Sequence, residues 1–233
     1  MQKVQKILAI DGPGGSGKSS VAKLVADKLS ALYVDTGSLY RAIGYHIKSL
    51  GLDFSDELAI QNVLSKMKIE YSKSADCLVE VNGENLTEVI REHEVSYLAS
   101  EISKIPIVRE FLLSVQRNLV SKRFCVMEGR DIGTVIFPDA YCKIYLTASI
   151  EVRAKRRFDQ LLKQNNKELS LATVLEDVKV RDEKDMNRKI APLKQAEDAI
   201  LVDTSELTEE ETINSICEHA LSRAKSLGIS LCD

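Results

Sequence analysis

Short apolar runs and amphipathic stretches alternate along this chain. Ile7-Leu8-Ala9-Ile10 is a continuous apolar run, as a buried strand is, and Val21, Leu24, Val25 and Leu29 then recur at helical spacing. Leu32-Tyr33-Val34 reads as a second short strand ending at Asp35. A helix opens after it at Thr36-Gly37-Ser38, with Ser38 as N-cap and Leu39, Ile43 and Ile47 on one face. Phe124-Cys125-Val126-Met127, Lys143-Ile144-Tyr145-Leu146 and Ala199-Ile200-Leu201-Val202 read as further core strands, with helices after the last two and another over Ser170 to Lys189. The closing helix, Thr208 to Lys225, carries a capping box in Thr208 and Glu211. Ile213, Ile216, Cys217 and Leu221 form its apolar face, and Gly228 stops it. Strand-helix alternation of this kind predicts an α/β fold, a parallel sheet flanked by helices.

Residues from about Leu52 to Glu101 break the rhythm. Asp56 to Lys66 reads as a short helix and Ile69 to Tyr71 as a strand. Cys77-Leu78-Val79-Glu80-Val81 then meets Asn82-Gly83, a strong hairpin signal, and the chain returns through Glu84 to Leu86. This small antiparallel meander suggests an inserted subdomain. The pattern is helical from Thr87, and Pro106 breaks it before a second helix, Ile107 to Leu119.

Candidate chemistry starts at Gly12-Pro13-Gly14-Gly15-Ser16-Gly17-Lys18-Ser19, which matches the P-loop pattern between a strand and a helix. Backbone N–H groups must converge on phosphate oxygens, and glycine removes the side chains that would block them. The helix opening at Gly17 and Lys18 points its positive dipole end at the anion. Lys18 is expected to reach the β- and γ-phosphates, and Ser19 to ligand Mg²⁺. The motif points to a nucleoside triphosphate and leaves the acceptor open.

Four charged sets add detail. Arg41 lies in a helix's first turn, where a cation opposes the dipole; a bound anion would account for it, and so would plain exposure. Glu128-Gly129-Arg130-Asp131 ends a core strand, where ligands of open α/β sheets sit, although a loop salt bridge would look the same. Arg153, Arg156 and Arg157 share one helical face, at a cost of roughly 0.2–0.5 kcal/mol per like-charged pair that a polyphosphate would offset. Arg181, Asp185 and Arg188 share another face, which an exposed, ion-paired helix would also show. Two such helices joined by a mobile turn at Asn165-Asn166-Lys167-Glu168 would make a flap over a site.

Composition narrows the classes. The 233 residues suffice for one α/β core with small lobes, and a net charge of −3 argues against a general nucleic-acid binder. No apolar run approaches the roughly 20 residues of a membrane span. The start, Met1 to Lys6, runs straight into the first strand, so no signal peptide is expected. Cys77, Cys125, Cys142, Cys217 and Cys232 lack metal spacing and read as reduced, mostly buried thiols of a cytoplasmic protein.

Taken together, these residues resemble the bacterial cytidylate kinases, nearly end to end. The carriers are Ile10-Asp11-Gly12-Pro13 with the P-loop, Asp35-Thr36-Gly37-Ser38-Leu39-Tyr40-Arg41 and Ile105-Pro106-Ile107-Val108-Arg109. Gly129-Arg130-Asp131-Ile132-Gly133-Thr134, Phe137-Pro138-Asp139-Ala140, and Arg181-Asp182 through Arg188 to Ala191-Pro192-Leu193 complete the set.

The resemblance implies a P-loop NTPase fold, with a small antiparallel nucleoside-monophosphate-binding (NMP-binding) insert and a helical lid. It implies one kinase domain over 1–233: core 1–51, 105–152 and 190–233, insert about 52–104, lid about 153–189. It implies transfer of the ATP γ-phosphoryl group to CMP or dCMP with Mg²⁺, in a cytoplasmic monomer with no nucleic-acid or membrane partner. ATP would be held by Gly12, Pro13, Gly14, Gly15, Ser16, Gly17, Lys18, Ser19 and Ser20, and the metal by Ser19, phosphates and water. Arg41, Arg130 and Arg188 would surround the CMP phosphate. Ser100, Arg109 and Asp131 would read cytosine, Arg181 and Asp185 would hold the pentose, and Thr36 and Tyr40 complete the acceptor set. Lys18, Arg130, Arg153 and Arg157 would be catalytic.

Glu128 stands where the family commonly has aspartate, Thr36 where serine is also found, and Lys184 and Met186 where arginine is frequent. Two other classes share the P-loop: a kinase of another small acceptor such as shikimate or dephospho-coenzyme A, and a non-kinase nucleotide switch. The second usually carries a guanine-reading N-K-x-D, and Asn166-Lys167-Glu168-Leu169 lacks the aspartate.

Overall fold

Parallel strands do form the centre of the fold. The computed structural model describes residues 5–74, 77–120, 123–163 and 170–231. The turn expected at Asn165–Glu168, the start Met1–Val4 and Cys232 lie outside the described residues. The chain falls into two compact units, one made of residues up to 34 and from 122 onward, the other of residues 35–121.

The first unit is built on a five-stranded sheet. Its strands are β1 (Gln5–Asp11), β2 (Leu32–Asp35), β6 (Cys125–Gly129), β7 (Ala140–Thr147) and β8 (Ile200–Asp203), in the order β2-β6-β1-β7-β8. β1 runs parallel with β6 and with β7, and β7 with β8. Its helices are α1 (Lys18–Lys28), α6 (Ile150–Lys163), α7 (Leu171–Asn187) and α8 (Glu209–Leu227), with a short π-helical turn at Ile132–Ile136. Leu8, Ile10, Val25, Val126, Ile144, Leu146 and Ile216 form one core under α1 and α8. β1, β6 and β7 are mostly buried on both faces and so read as continuous apolar runs, while the edge strands β2 and β8 are less buried.

Two apolar positions differ from the expected helical faces. Leu24 and Leu221 are exposed, while Ala22, Ala26, Ala220 and Ala224 are buried. Small residues let α1 and α8 lie close to the sheet, so the buried stripe is narrower than leucine spacing suggests. The capping box of Thr208 with Glu211 forms, and Gly228 ends α8 in the left-handed region.

The second unit contains α2 (Thr36–Ser49), α3 (Glu57–Leu64), α4 (His93–Ile102) and α5 (Pro106–Leu119). They stand with an antiparallel sheet of β3 (Ile69–Ser74), β4 (Cys77–Val81) and β5 (Glu84–Asn85). Asn82 and Gly83 both take positive φ, 52° and 89°, as the hairpin turn requires. Leu39, Ile43, Ile47, Val79, Val81, Val108 and Leu112 share one core. The N-cap of α2 is Asp35, not Ser38: the Asp35 carboxylate accepts from the Ser38 N–H at 3.1 Å. A carboxylate at the N-cap also complements the dipole, and the helix starts three residues earlier than a cap at Ser38 would place it.

Candidate active site

β1 delivers the chain to Gly12 at the carboxyl edge of the sheet. A Cβ on Gly12 would lie 2.0 Å from the Leu146 carbonyl oxygen, so only glycine fits against β7. Gly17 caps α1 with φ of 90°, which turns the backbone amides inward ahead of Lys18. Ser19 and Ser20 follow on the exposed side.

Lys18 is 5% exposed. Its ammonium donates to the Pro13 carbonyl at 2.7 Å and to Ser16 Oγ at 3.3 Å. Burial and the nearby Arg130 and Arg181 push Lys18 well below the ordinary lysine value, against the pull of Glu128 and Asp11. A polyanion placed here would relieve that cost.

Arginines crowd the same loop. Arg153 Nη1 donates to the Gly14 carbonyl at 3.1 Å and pairs with Asp182 Oδ2 at 2.6 Å. A Cβ added to Gly14 would lie 3.7 Å from Arg130 Nη2 and 3.8 Å from Arg181 Cδ. Arg130 Nε pairs with Asp185 Oδ2 at 3.0 Å, and Arg188 Nη2 lies 3.5 Å from Asp131 Oδ1. Burial opposes the Arg130 charge, but Asp185, Glu128 and Asp182 hold it above its ordinary range. Burial likewise opposes the Asp185 carboxylate, and Arg130, Arg181 and Arg188 outweigh it. The loop salt bridge weighed for Arg130 therefore has a different partner, one on α7 and remote in sequence.

Arg157 donates to Gln160 one turn on, at 2.9 Å. In the second unit, Arg41 stands in the second turn of α2, not the first, so the dipole no longer singles it out, and it pairs with the N-cap carboxylate of Asp35 at 2.7 Å. The Arg109 guanidinium lies 5.7 Å over the Tyr40 ring and donates to the Ser103 carbonyl at 3.3 Å. Thr36 is buried, and the Ser100 carbonyl accepts from Ser103 Oγ.

Three side chains make contacts that spacing did not signal. Arg156 Nη2 donates to the Thr204 carbonyl at 2.8 Å, and its Nη1 to Thr204 Oγ1 at 2.9 Å and to the Ser16 carbonyl at 3.4 Å. Tyr33 donates to Glu128 Oε1 at 2.8 Å, which gives the longer carboxylate an anchor. Asp11 accepts from two backbone amides beyond β6. Each of Tyr33, Asp11 and Thr204 lies at or near the carboxyl end of a strand, the one signal in the sequence that could have pointed to them.

Residues 8–222 match the family model of cytidylate kinase. The chain belongs to the cytidylate kinase family. A cytidylate kinase of Pseudothermotoga lettingae is 45% identical over 219 residues, covering 94% of this chain and 96% of its own. One from Clostridium botulinum is 43% identical over 210 residues, covering 90% and 95%. Among solved structures, shikimate kinase from Acinetobacter baumannii in complex with shikimate aligns at a TM-score of 0.43 and 16% identity, over 94% of each chain. Among the described residues, no helix is long and apolar enough to cross a membrane, and no group of three or more His, Cys, Asp or Glu could hold a metal ion.

Proposed function

We propose that this protein transfers the γ-phosphoryl group of ATP to CMP or dCMP, giving ADP and CDP or dCDP. The observation that carries this reading is the set of cations around the phosphate loop: Lys18 and Arg153, both buried, the largely buried Arg130, and Arg181 beside Gly14. The bond to the γ-phosphorus breaks on the ADP side as an oxygen of the acceptor phosphate forms the new one. That oxygen is already anionic, so no strong general base is needed, and catalysis rests on positioning and charge neutralisation.

Gly12 to Ser20 surround the ATP phosphates, which the backbone amides of every residue but Pro13 can meet, and Lys18 meets the β- and γ-oxygens. Arg130, Arg153 and Arg157 act on the transferring group. Arg130 and Arg188 hold the acceptor phosphate, Asp131 accepts from the cytosine amino group, and Arg181 and Asp185 orient the pentose. Thr36, Tyr40, Arg41, Ser100 and Arg109 are the acceptor-binding residues of the second unit. Water, the competing acceptor, is kept out by the lid at about 153–189.

The residues fit Mg²⁺. The loop offers the exposed Ser19 hydroxyl, and Mg²⁺ takes few protein ligands, keeping water and phosphate oxygens. Bound there by Ser19, it would neutralise charge on the phosphates. The protein acts as a cytoplasmic monomer on small nucleotides, in a single kinase domain.

A coupled ADP-release assay with CMP, dCMP, UMP and shikimate tests the reading. Turnover of CMP and dCMP is expected. Turnover confined to shikimate, or ATP hydrolysis with no phosphorylated acceptor, would overturn it.

A further inference from the structure

Asp11 stands at the end of β1, immediately before the phosphate loop, and is 5% exposed. Its backbone is held on both sides, in register with Gly129 of β6 and Tyr145 of β7. The sheet therefore sets the entry to the loop whatever side chain Asp11 carries. The carboxylate has a separate task. Oδ1 accepts from the Ile132 N–H at 2.8 Å, and Oδ2 from the Gly133 N–H at 2.7 Å.

Those amides open the π-helical turn Ile132–Ile136. Its N-cap residue, Asp131, makes no side-chain cap bond. First-turn amides need acceptors, and the N-cap side chain is the usual source. Here the acceptor comes from another strand, and the Asp131 carboxylate faces Arg188 at 3.5 Å instead. The fit is tight: a Cβ on Gly133 would lie 3.0 Å from Lys143 Cδ and 3.4 Å from Asp11 Oδ2. Two charge-assisted bonds in a dry, crowded place leave the turn one position.

We propose that Asp11 is a positioning residue for the acceptor: by capping the turn from β1, it sets where Asp131 and Arg130 stand beside the phosphate loop. This rests on the proposed role of those two residues in binding CMP. Asp11→Asn keeps the size but turns one acceptor oxygen into a donor facing an N–H. It is expected to raise KM for CMP by ~10-fold or more, the loss of one charge-assisted bond, while KM for ATP stays within about 2-fold. Hydrogen exchange at the Ile132 and Gly133 amides should quicken. Asp11→Ala removes both acceptor oxygens without placing a donor against an N–H, and it carries the same readout if the first variant does not fold.

KM values for CMP and ATP rising together, an unchanged KM for CMP, or unchanged exchange at the two amides would overturn the inference. Wild type run alongside keeps the readings apart. A wild type inactive on CMP removes the proposed function and this inference with it, whereas an active wild type with an unselective variant removes this inference alone.

Discussion

Arg130 Nε lies 3.0 Å from Asp185 Oδ2, joining the end of β6 to α7 across 55 residues of sequence. Both groups are largely buried, so each is the other's main counter-charge. Removing one member of such a pair leaves the other charged and desolvated.

Asp185→Ala is therefore expected to cost about 3 kcal/mol of stability, read by urea unfolding. Adding Arg130→Ala should restore part of that loss, since the stranded charge is gone. Losses that simply add would show that the two side chains are not coupled.

Lys18→Met should abolish transfer and yet melt no lower than wild type. Burial and the neighbouring Arg130 push Lys18 well below its ordinary value. The folded chain therefore sheds that proton over a pH range in which the unfolded chain keeps it, so stability rises with pH through that range. Removing the ammonium removes the cost. Near-normal turnover, or a much lower melting temperature, would contradict this account.

Asp131→Ala should lower the preference for CMP over UMP by ~10-fold or more, read as the ratio of kcat/KM values. Asp131 is buried and faces Arg188, so an aspartate that accepts from the cytosine amino group would meet a uracil carbonyl as acceptor against acceptor. An unchanged ratio would take Asp131 out of base recognition.

Asp11 gives stability a pH slope. Burial, with Asp131 adding, pushes its carboxyl up to about 6 from 3.8, against the Gly133 and Ile132 amides and Lys18; Tyr145 also faces it. Between those values the folded chain holds a proton that the unfolded chain has released, so stability falls as pH rises through the window. Below it both states are protonated and the cost is absent. The cost is on the order of 3 kcal/mol above the window, and Asp11→Asn should lack that slope. Urea unfolding of both proteins from pH 4 to 7 measures it, and parallel profiles would contradict it.

The phosphate loop, the parallel strands and the hairpin at Asn82-Gly83 were legible because each is a local rule. A glycine pattern between strand and helix, a continuous apolar run and a turn dipeptide each act within a few residues. The cap of α2 differs because Asp35 and Ser38 can both accept amide bonds, and only the fold shows that the Asp35 carboxylate takes the Ser38 N–H. Leu24 and Leu221 were placed inside because spacing does not say how wide a helix's buried stripe is.

By itself, the sequence determined the strand and helix succession, the phosphate loop and the residue types gathered for an anionic substrate, since these depend on neighbours in the chain. Only the tertiary structure decided which charge meets which: Arg130 with Asp185, Arg153 with Asp182, Asp11 with the Ile132 and Gly133 amides. Such pairings arise when a sheet brings distant strand ends together, and Coulomb forces and amide geometry then choose among partners that spacing leaves equivalent.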